Sequence, residues 1–537
     1  MNMRKIAFLA MLCAVGMTAM AKPAYRGPIV RTMEDGTEKI VYLHGNEDFH
    51  YMTDANGAWL DEATLQPMTE MAKGERLKAK GESANVRRAP QAAQGVGDEP
   101  NIAPRGLLIL VNFPDKEFTT PKDTIDSMLN GENYTRNYSY EYGGYTYDIH
   151  SEGSVRKYFE DQSFGAYSPV FDVVGPVTMS REMSYYGSND RSGSDKHPDE
   201  MIIEACDSAN IQFGVDFTQY DNDNDGFVDF VYVIYAGYGE ADSPLSTTIW
   251  PHQWNIYDYG YITHKIDGKI LNRYACGNEL SYFSDIYDGI GTICHEFSHV
   301  LGLPDLYSTE QGSTHKTMGA WDIMDYGPYN NDGNTPPSYS AYERFYMGWI
   351  TPRVLNEPEN VTLHPLNEFQ EALLLCDGNE HNMVGWNPVP KNFYLLEVRR
   401  LIGWDEYLPG QGMLLTKIQF NYNKWASNIV NNNASSQGVD LIEADGKSSG
   451  TSSYGKSGDA FPNGKKYWYG YEDHDIENIA RKANGVITFD YRGGAAEGVE
   501  EIQDEKANGE GTKVIENGVL YLKYKGTKYN VQGVRVE

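Results

Sequence analysis

The sequence predicts an α+β protein of several units, with mixed strands and helices at its centre and β-rich segments on either side. Three observations carry this. The chain has 537 residues, room for about three domains of the usual ~150 residues, and with 40% hydrophobic and 13% aromatic content it can bury proper cores. Apolar runs of strand length, such as Leu107–Phe113, recur between residues 103 and 355 among stretches of helical pattern. From about residue 360 the pattern changes to short strand candidates split by Gly, Pro and Asn.

Taken in order, residues 1–21 read as a secretory signal. Arg4 and Lys5 precede a short apolar run, and Ala19-Met20-Ala21 has the small-x-small form of a cleavage site. The run is too short to span a bilayer, which needs ~20 apolar residues, and no later stretch is long and apolar enough. The expected location is extracellular. Loss of the signal leaves 43 basic residues (45 less Arg4 and Lys5) against 76 acidic ones, a balance of −33. Such a chain repels nucleic acid and anionic membrane. Cys206, Cys276, Cys294 and Cys376 remain, widely spaced and without a CxxC, and read as buried thiols or one bridge.

Residues 22–102 read as a small unit followed by a linker. "KIVYLHGNEDFHYMTDANGAWL" alternates like strands and has an Asn-Gly turn, whereas "KAKGESANVRRAPQAAQGVGDEP" is polar and contains Arg87-Arg88, a site for a protease to cut. Residues 103–355 form the central unit. Leu107–Phe113 and "GFVDFVYVIYAG" are strands buried on both faces, and "SVRKYFEDQSFG" and "HPDEMIIEACDSAN" are helices. Residues 356–492 read as a β-sandwich-like unit built from "NFYLLEVRR", "GMLLTKIQF" and "GVITFDYRG", with the Asn- and Ser-rich stretch from 431 as a long loop. Residues 493–537 are a second linker and a short β-rich tail.

The stretch "CHEFSHVLGLPD", Cys294–Asp305, carries the chemistry. Stepped at 100° per residue as a helix, Ile290, Ile293, Cys294, Phe297 and Leu301 share one face, and His295 and His299 share the opposite one. Two imidazoles one turn apart can bind Zn²⁺, and Glu296 stands to one side, able to take a proton from a water on the ion. Gly302 can end the helix and Pro304 prevents its continuation, so Asp305 can return as third ligand and leave a fourth position open. Met324, in "GAWDIMDYGPY", fits an apolar floor beneath the metal, and Tyr326 is a candidate phenol for the developing oxyanion. A cysteine nucleophile at Cys294 with His295 is disfavoured, because adjacent helical residues point ~100° apart.

With "WDIMDYG" downstream, this segment resembles the immune-inhibitor-A-like metallopeptidases, whose motif is H-E-x-x-H-x-x-G-x-x-D with a methionine turn. The resemblance extends through most of residues 103–415. It implies a zincin or metzincin-like endopeptidase domain between a prodomain and an appended β domain. It also implies protein or peptide substrates, with His295, His299 and Asp305 as zinc ligands and Glu296 as general base. The last ~25 residues are similar to short β-rich tails of exported Gram-negative proteins, which implies surface or secretion-machinery contact. The competing expectation is a non-catalytic, metal-stabilised adhesin or binding protein, for which Glu296 would have no use.

A second metal loop is expected at "DNDNDGFVD". Asp221, Asp223 and Asp225 alternate before Gly226, with Asp229 as a closing ligand for Ca²⁺. Position twelve of an EF-hand loop would be Tyr232 rather than Glu, so the loop is of a looser kind.

Overall fold

The computed structural model describes residues 21–83, 104–495 and 511–536, apart from short breaks within them. All of the expected signal but Ala21 falls outside the described residues, as do Arg87-Arg88 and most of the second linker.

A five-stranded mixed sheet organises the centre. Its order is His252–Asn255, Arg273–Leu280, Val231–Tyr238, Arg105–Asn112, Val170–Thr178, parallel except for the first, an antiparallel edge strand. The run at 107–111 is apolar at every position because both faces are covered. Leu108 and Leu110 point to one apolar cluster with the helices Lys122–Asn130, Val155–Gln162 and Gly291–Val300, and Leu107, Ile109 and Val111 point to another with the helix Pro198–Phe213. The predicted helices and buried strands of this region are all present, so the α+β class holds.

The N-terminal unit is an antiparallel sheet of Ile29–Thr32, Glu38–Asn46, Phe49–Thr53 and Trp59–Leu60, with Asn56-Gly57 in the last turn. Its small core (Ile29, Val41, Leu43, Met52, Leu60) is completed by Ala241 and Trp250 of the central region. The helix Glu70–Ser83 reaches into what the sequence suggested was linker. Helix formers fill it, and Arg76 anchors it to Glu62.

Beyond residue 352, a five-stranded sheet runs Arg353–Val354, Leu373–Leu375, Asn392–Arg399, Gly412–Gln419, Val439–Leu441. A three-stranded sheet of Glu359–Leu363, Ile487–Tyr491 and Ile476–Arg481 packs on one of its faces, through Leu373, Leu396, Leu415, Val361 and Phe489. The alternate residues Leu374, Phe393, Leu395 and Leu414 join the core of the central region. The larger sheet is therefore sandwiched twice, and the core is continuous across the boundary expected near 355. The expected long loop from 431 includes the strand Val439–Leu441. Gly511–Glu516, Val519–Tyr524 and Thr527–Tyr529 form a three-stranded antiparallel sheet in the tail. The four cysteines after the signal are buried free thiols. Among the described residues no helix is long and apolar enough to cross a membrane.

Candidate metal centre

All ten residues of the helix Gly291–Val300 are buried. Phe297 packs against the rings of Phe159, Phe171 and Phe230 with centroids 5.0–5.2 Å away, so the apolar face read from the sequence is the core face. The helix ends in a Schellman turn, with Gly302 N–H donating to His299 O at 2.9 Å and Leu303 N–H to Ser298 O at 3.1 Å. Gly302 has φ of +107°, a conformation open to glycine and strained for other residues. The turn sets the position of Leu303 O, which accepts a hydrogen bond from His299 Nδ1 at 2.8 Å. His295 Nδ1 donates likewise to Ile323 O at 2.7 Å.

A carbonyl can only accept, so both imidazoles carry their proton on Nδ1 and turn a bare Nε2 inward. The two Nε2 atoms are 3.1 Å apart, and Asp305 Oδ1 lies 3.3 Å from His295 Nε2 and 3.2 Å from His299 Nε2. Four-coordinate zinc with bonds of ~2.0–2.1 Å spaces its ligand atoms about 3.3–3.4 Å apart. Two lone pairs and a carboxylate oxygen converging on one buried point repel unless a cation lies between them. Asp305 Oδ1 has no hydrogen-bond partner, and neither has Glu296 Oε2. The donor set fits a divalent ion of the zinc type.

Asp305 is held from behind by Asn428, whose Nδ2 donates to Asp305 Oδ2 at 2.6 Å and whose Oδ1 accepts from Asp305 N at 2.7 Å. Burial pushes Glu296 up to about 8, against the pull of His295 and the Lys22 N–H. A divalent ion at the centre of the donors would draw it back toward ionisation. The turn holding Met324 lies directly below: Ile323 O holds His295, Met324 O accepts from Leu306 N at 2.7 Å, and Met324 N donates to Asp322 Oδ1 at 2.8 Å.

Tyr326, expected near the oxyanion, is buried beneath the Arg26 guanidinium, 3.8 Å from its ring centroid. The phenol that reaches into the cleft is that of Tyr307, which donates to Ala21 O at 2.6 Å. Lys22 N–H donates to Glu296 Oε1 at 2.9 Å. The Ala21–Lys22 peptide bond thus spans the site, carbonyl toward Tyr307 and nitrogen toward Glu296. Glu47, in the turn between two strands of the N-terminal sheet, is buried with both carboxylate oxygens unpartnered, and burial raises its pKa well above the usual carboxylate range, with repulsion from Asp48, Asp305 and Glu296 adding to this. Sequence reasoning missed Tyr307, Asn428 and Glu47, of which only Tyr307 adjoins the motif.

In the acidic loop, ligand oxygens of Asp221, Asp223 and Asp225 lie within 4.8 Å of one another. Lys269 Nζ already pairs with Asp221 Oδ2 at 2.5 Å, and Asp221 Oδ1 is buried without a partner. Asp229 Oδ2 accepts from Asn222 N and Nδ2, each at 2.6 Å, instead of joining the three aspartates.

Residues 96–350 match the immune inhibitor A peptidase M6 catalytic domain. The pre-pro-metalloprotease PrtV of Vibrio cholerae serotype O1 is 26% identical over 299 residues, 51% of this chain and 29% of that protein. Immune inhibitor A of Bacillus thuringiensis subsp. alesti is 25% identical over 271 residues, 45% of this chain and 39% of that protein. The chain thus spans well under half the length of these relatives. Its central region, with both histidines, Glu296 and Asp305 inside the match, is thus similar to the immune inhibitor A peptidase M6 catalytic domain.

Proposed function

We propose that the chain is a secreted zinc-dependent endopeptidase, made with an inhibitory N-terminal prodomain. The observation that carries this is the convergence of His295 Nε2, His299 Nε2 and Asp305 Oδ1 at 3.1–3.3 Å, with Glu296 against a peptide nitrogen. His295, His299 and Asp305 would hold the metal. Zinc, when bound, supplies a Lewis acid that polarises the scissile carbonyl and makes water acidic enough to deprotonate near neutral pH.

The chain's own groups do the rest. Glu296 takes a proton from water on Oε2, the oxygen without a partner, and delivers it to the leaving amine, whose position the Lys22 nitrogen marks. Tyr307 donates to the carbonyl oxygen as it gains charge, and burial, which pushes its pKa well up, keeps that proton in place. Tyr307 is assigned this role because its hydroxyl already holds a carbonyl oxygen beside Glu296, whereas Tyr326 is engaged by Arg26 of the N-terminal segment in this state. Met324 floors the site without touching the reaction.

The prodomain reading is supported by Lys22, the first residue after the expected signal, whose nitrogen lies against Glu296 in the place of a leaving amine, and by the N-terminal sheet sharing Ala241 and Trp250. Glu47 adds a carboxylate beside the metal ligands. Cutting the linker near Arg87-Arg88 would free the cleft. The aspartates at 221, 223 and 225 would take a structural Ca²⁺, with Lys269 displaced from Asp221 and Asp229 closing the shell. The tail from 511 is assigned surface or export contact on its resemblance alone.

Metal analysis of the purified chain beside a casein digest tests the reading. One zinc per chain is expected, with cleavage stopped by a chelator and restored by zinc. Cleavage that survives chelation and stops with a thiol reagent would contradict it.

A further inference from the structure

The N-terminal segment is held as a bound peptide would be. Besides Glu296 and Tyr307, Trp250 Nε1 donates to Lys22 O at 3.1 Å and Tyr329 OH to Pro23 O at 2.6 Å. In peptide hydrolysis the carboxylate that deprotonates water hands the proton to the departing amine. The nitrogen bonded to Glu296 therefore marks the leaving group, and Lys22 stands as the first residue on the leaving side.

Its side chain fills a pocket built wholly from the central region. Lys22 Nζ donates to Asp242 Oδ2 at 3.1 Å and to Thr292 Oγ1 at 3.1 Å, and lies 4.5 Å from the centre of the Tyr329 ring. Thr292 passes its own hydroxyl proton to Asp288 Oδ2 at 3.1 Å, which aligns its lone pairs with the ammonium. Asp242 Oδ1 is buried and unpartnered. The pocket opens into a cavity of about 300 Å³ bordered also by Asp332 and Tyr25. Two carboxylates, a hydroxyl and an aromatic face suit an ammonium or guanidinium and reject an aliphatic side chain, which would leave the acids unpaired.

We propose that Asp242, Asp288, Thr292 and Tyr329 form the specificity pocket for the residue after the scissile bond, and that the enzyme cuts on the amino side of lysine or arginine. The inference rests on the endopeptidase reading above. Lys22 is then the chain's own occupant of that pocket.

Two measurements on the full chain test this. In the first, a peptide library is digested by the zinc-loaded protein after its N-terminal segment has been released, and the cuts are mapped by mass spectrometry. Lysine and arginine are expected after the cut at least tenfold more often than leucine, with that preference lost in Asp242→Asn. A profile without basic residues after the cut, or one unchanged in Asp242→Asn, overturns the proposal. A chain that binds zinc and cuts no peptide overturns the endopeptidase reading, and the pocket's role with it. The second needs no activity: hydrogen exchange over residues 24–53 is compared in the chain with its N-terminal segment still attached. Lys22→Leu should speed exchange at least tenfold and Lys22→Arg should stay close to wild type. Equal exchange in the leucine and arginine variants overturns the pocket as a reader of positive charge, whatever Asp242→Asn does to folding.

Discussion

At the residue scale, the centre depends on hydrogen bonds that fix each donor's direction. Asn428 is the clearest case, since it clamps both the side chain and the backbone of Asp305. Its replacement by Ala should weaken zinc binding by roughly 10–100-fold, as loss of such outer partners does. Competition against a chromophoric chelator measures this, and unchanged affinity would remove Asn428 from the account. Tyr307→Phe should lower kcat by roughly 10²–10³-fold with little change in KM, the effect of losing one donor to the oxyanion. Tyr326→Phe should stay within a few-fold of wild type, and steady-state kinetics on one peptide separates the two. The ligand set was legible in the sequence because it falls within eleven consecutive residues whose helical spacing is decisive. Asn428 was not, because it arrives from 123 residues downstream and no local pattern marks it. Tyr307 stands two residues beyond the motif, but spacing alone does not say that its hydroxyl turns into the cleft.

At the scale of elements, one turn does two jobs. The Schellman turn ends the metal helix and aims the Leu303 carbonyl at His299, and it needs Gly302 at φ of +107°. Gly302→Ala should cost roughly 1–3 kcal/mol in chemical denaturation and weaken the metal site along with it. A stable variant with normal zinc binding would contradict the role given to the turn. The strand Phe49–Thr53 brings a pH-sensitive contact. His50 Nδ1 donates to Asn46 O at 3.1 Å, and Nε2 lies 2.9 Å from both Glu240 Oε1 and Asn189 Nδ2. Burial lowers its pKa, Glu240 and Glu62 raise it, Arg76 opposes them, and the net is about 8. A docked pKa above the ordinary ~6.5 means that protonation supports docking fully below about pH 6.5 and that this support fades as pH rises through about 8. The difference is worth about 2 kcal/mol. Trypsin cleavage within residues 29–60 should therefore quicken between pH 6 and pH 9, beyond the change of the protease itself, and His50→Gln should flatten the trend. The strand at 107–111 was readable because burial on both faces leaves an unbroken apolar run. The helix Glu70–Ser83 was not, because it is polar and largely exposed and offers no apolar stripe.

At the scale of the whole molecule, the sequence suggested separate units, and the structure joins them. Alternate residues of Asn392–Arg399 face two different cores, and Arg399 is buried between Asp405, Glu397 and the Ser338 carbonyl. Such long-range closure leaves no trace in local composition. The N-terminal unit is joined in another way, through the contacts of Ala21 and Lys22 with Tyr307, Glu296 and Trp250. The proposed function rests on one arrangement, an ion that His295, His299 and Asp305 would hold with Glu296 beside it as a base and not as a ligand. Glu296→Gln keeps the side chain's shape and removes its capacity to take a proton. Zinc content and casein cleavage measured on that variant and on wild type are the most direct test. The account predicts one zinc per chain in both and cleavage reduced at least a thousandfold in the variant. Cleavage near wild-type rate, or zinc lost along with the carboxylate, would contradict it.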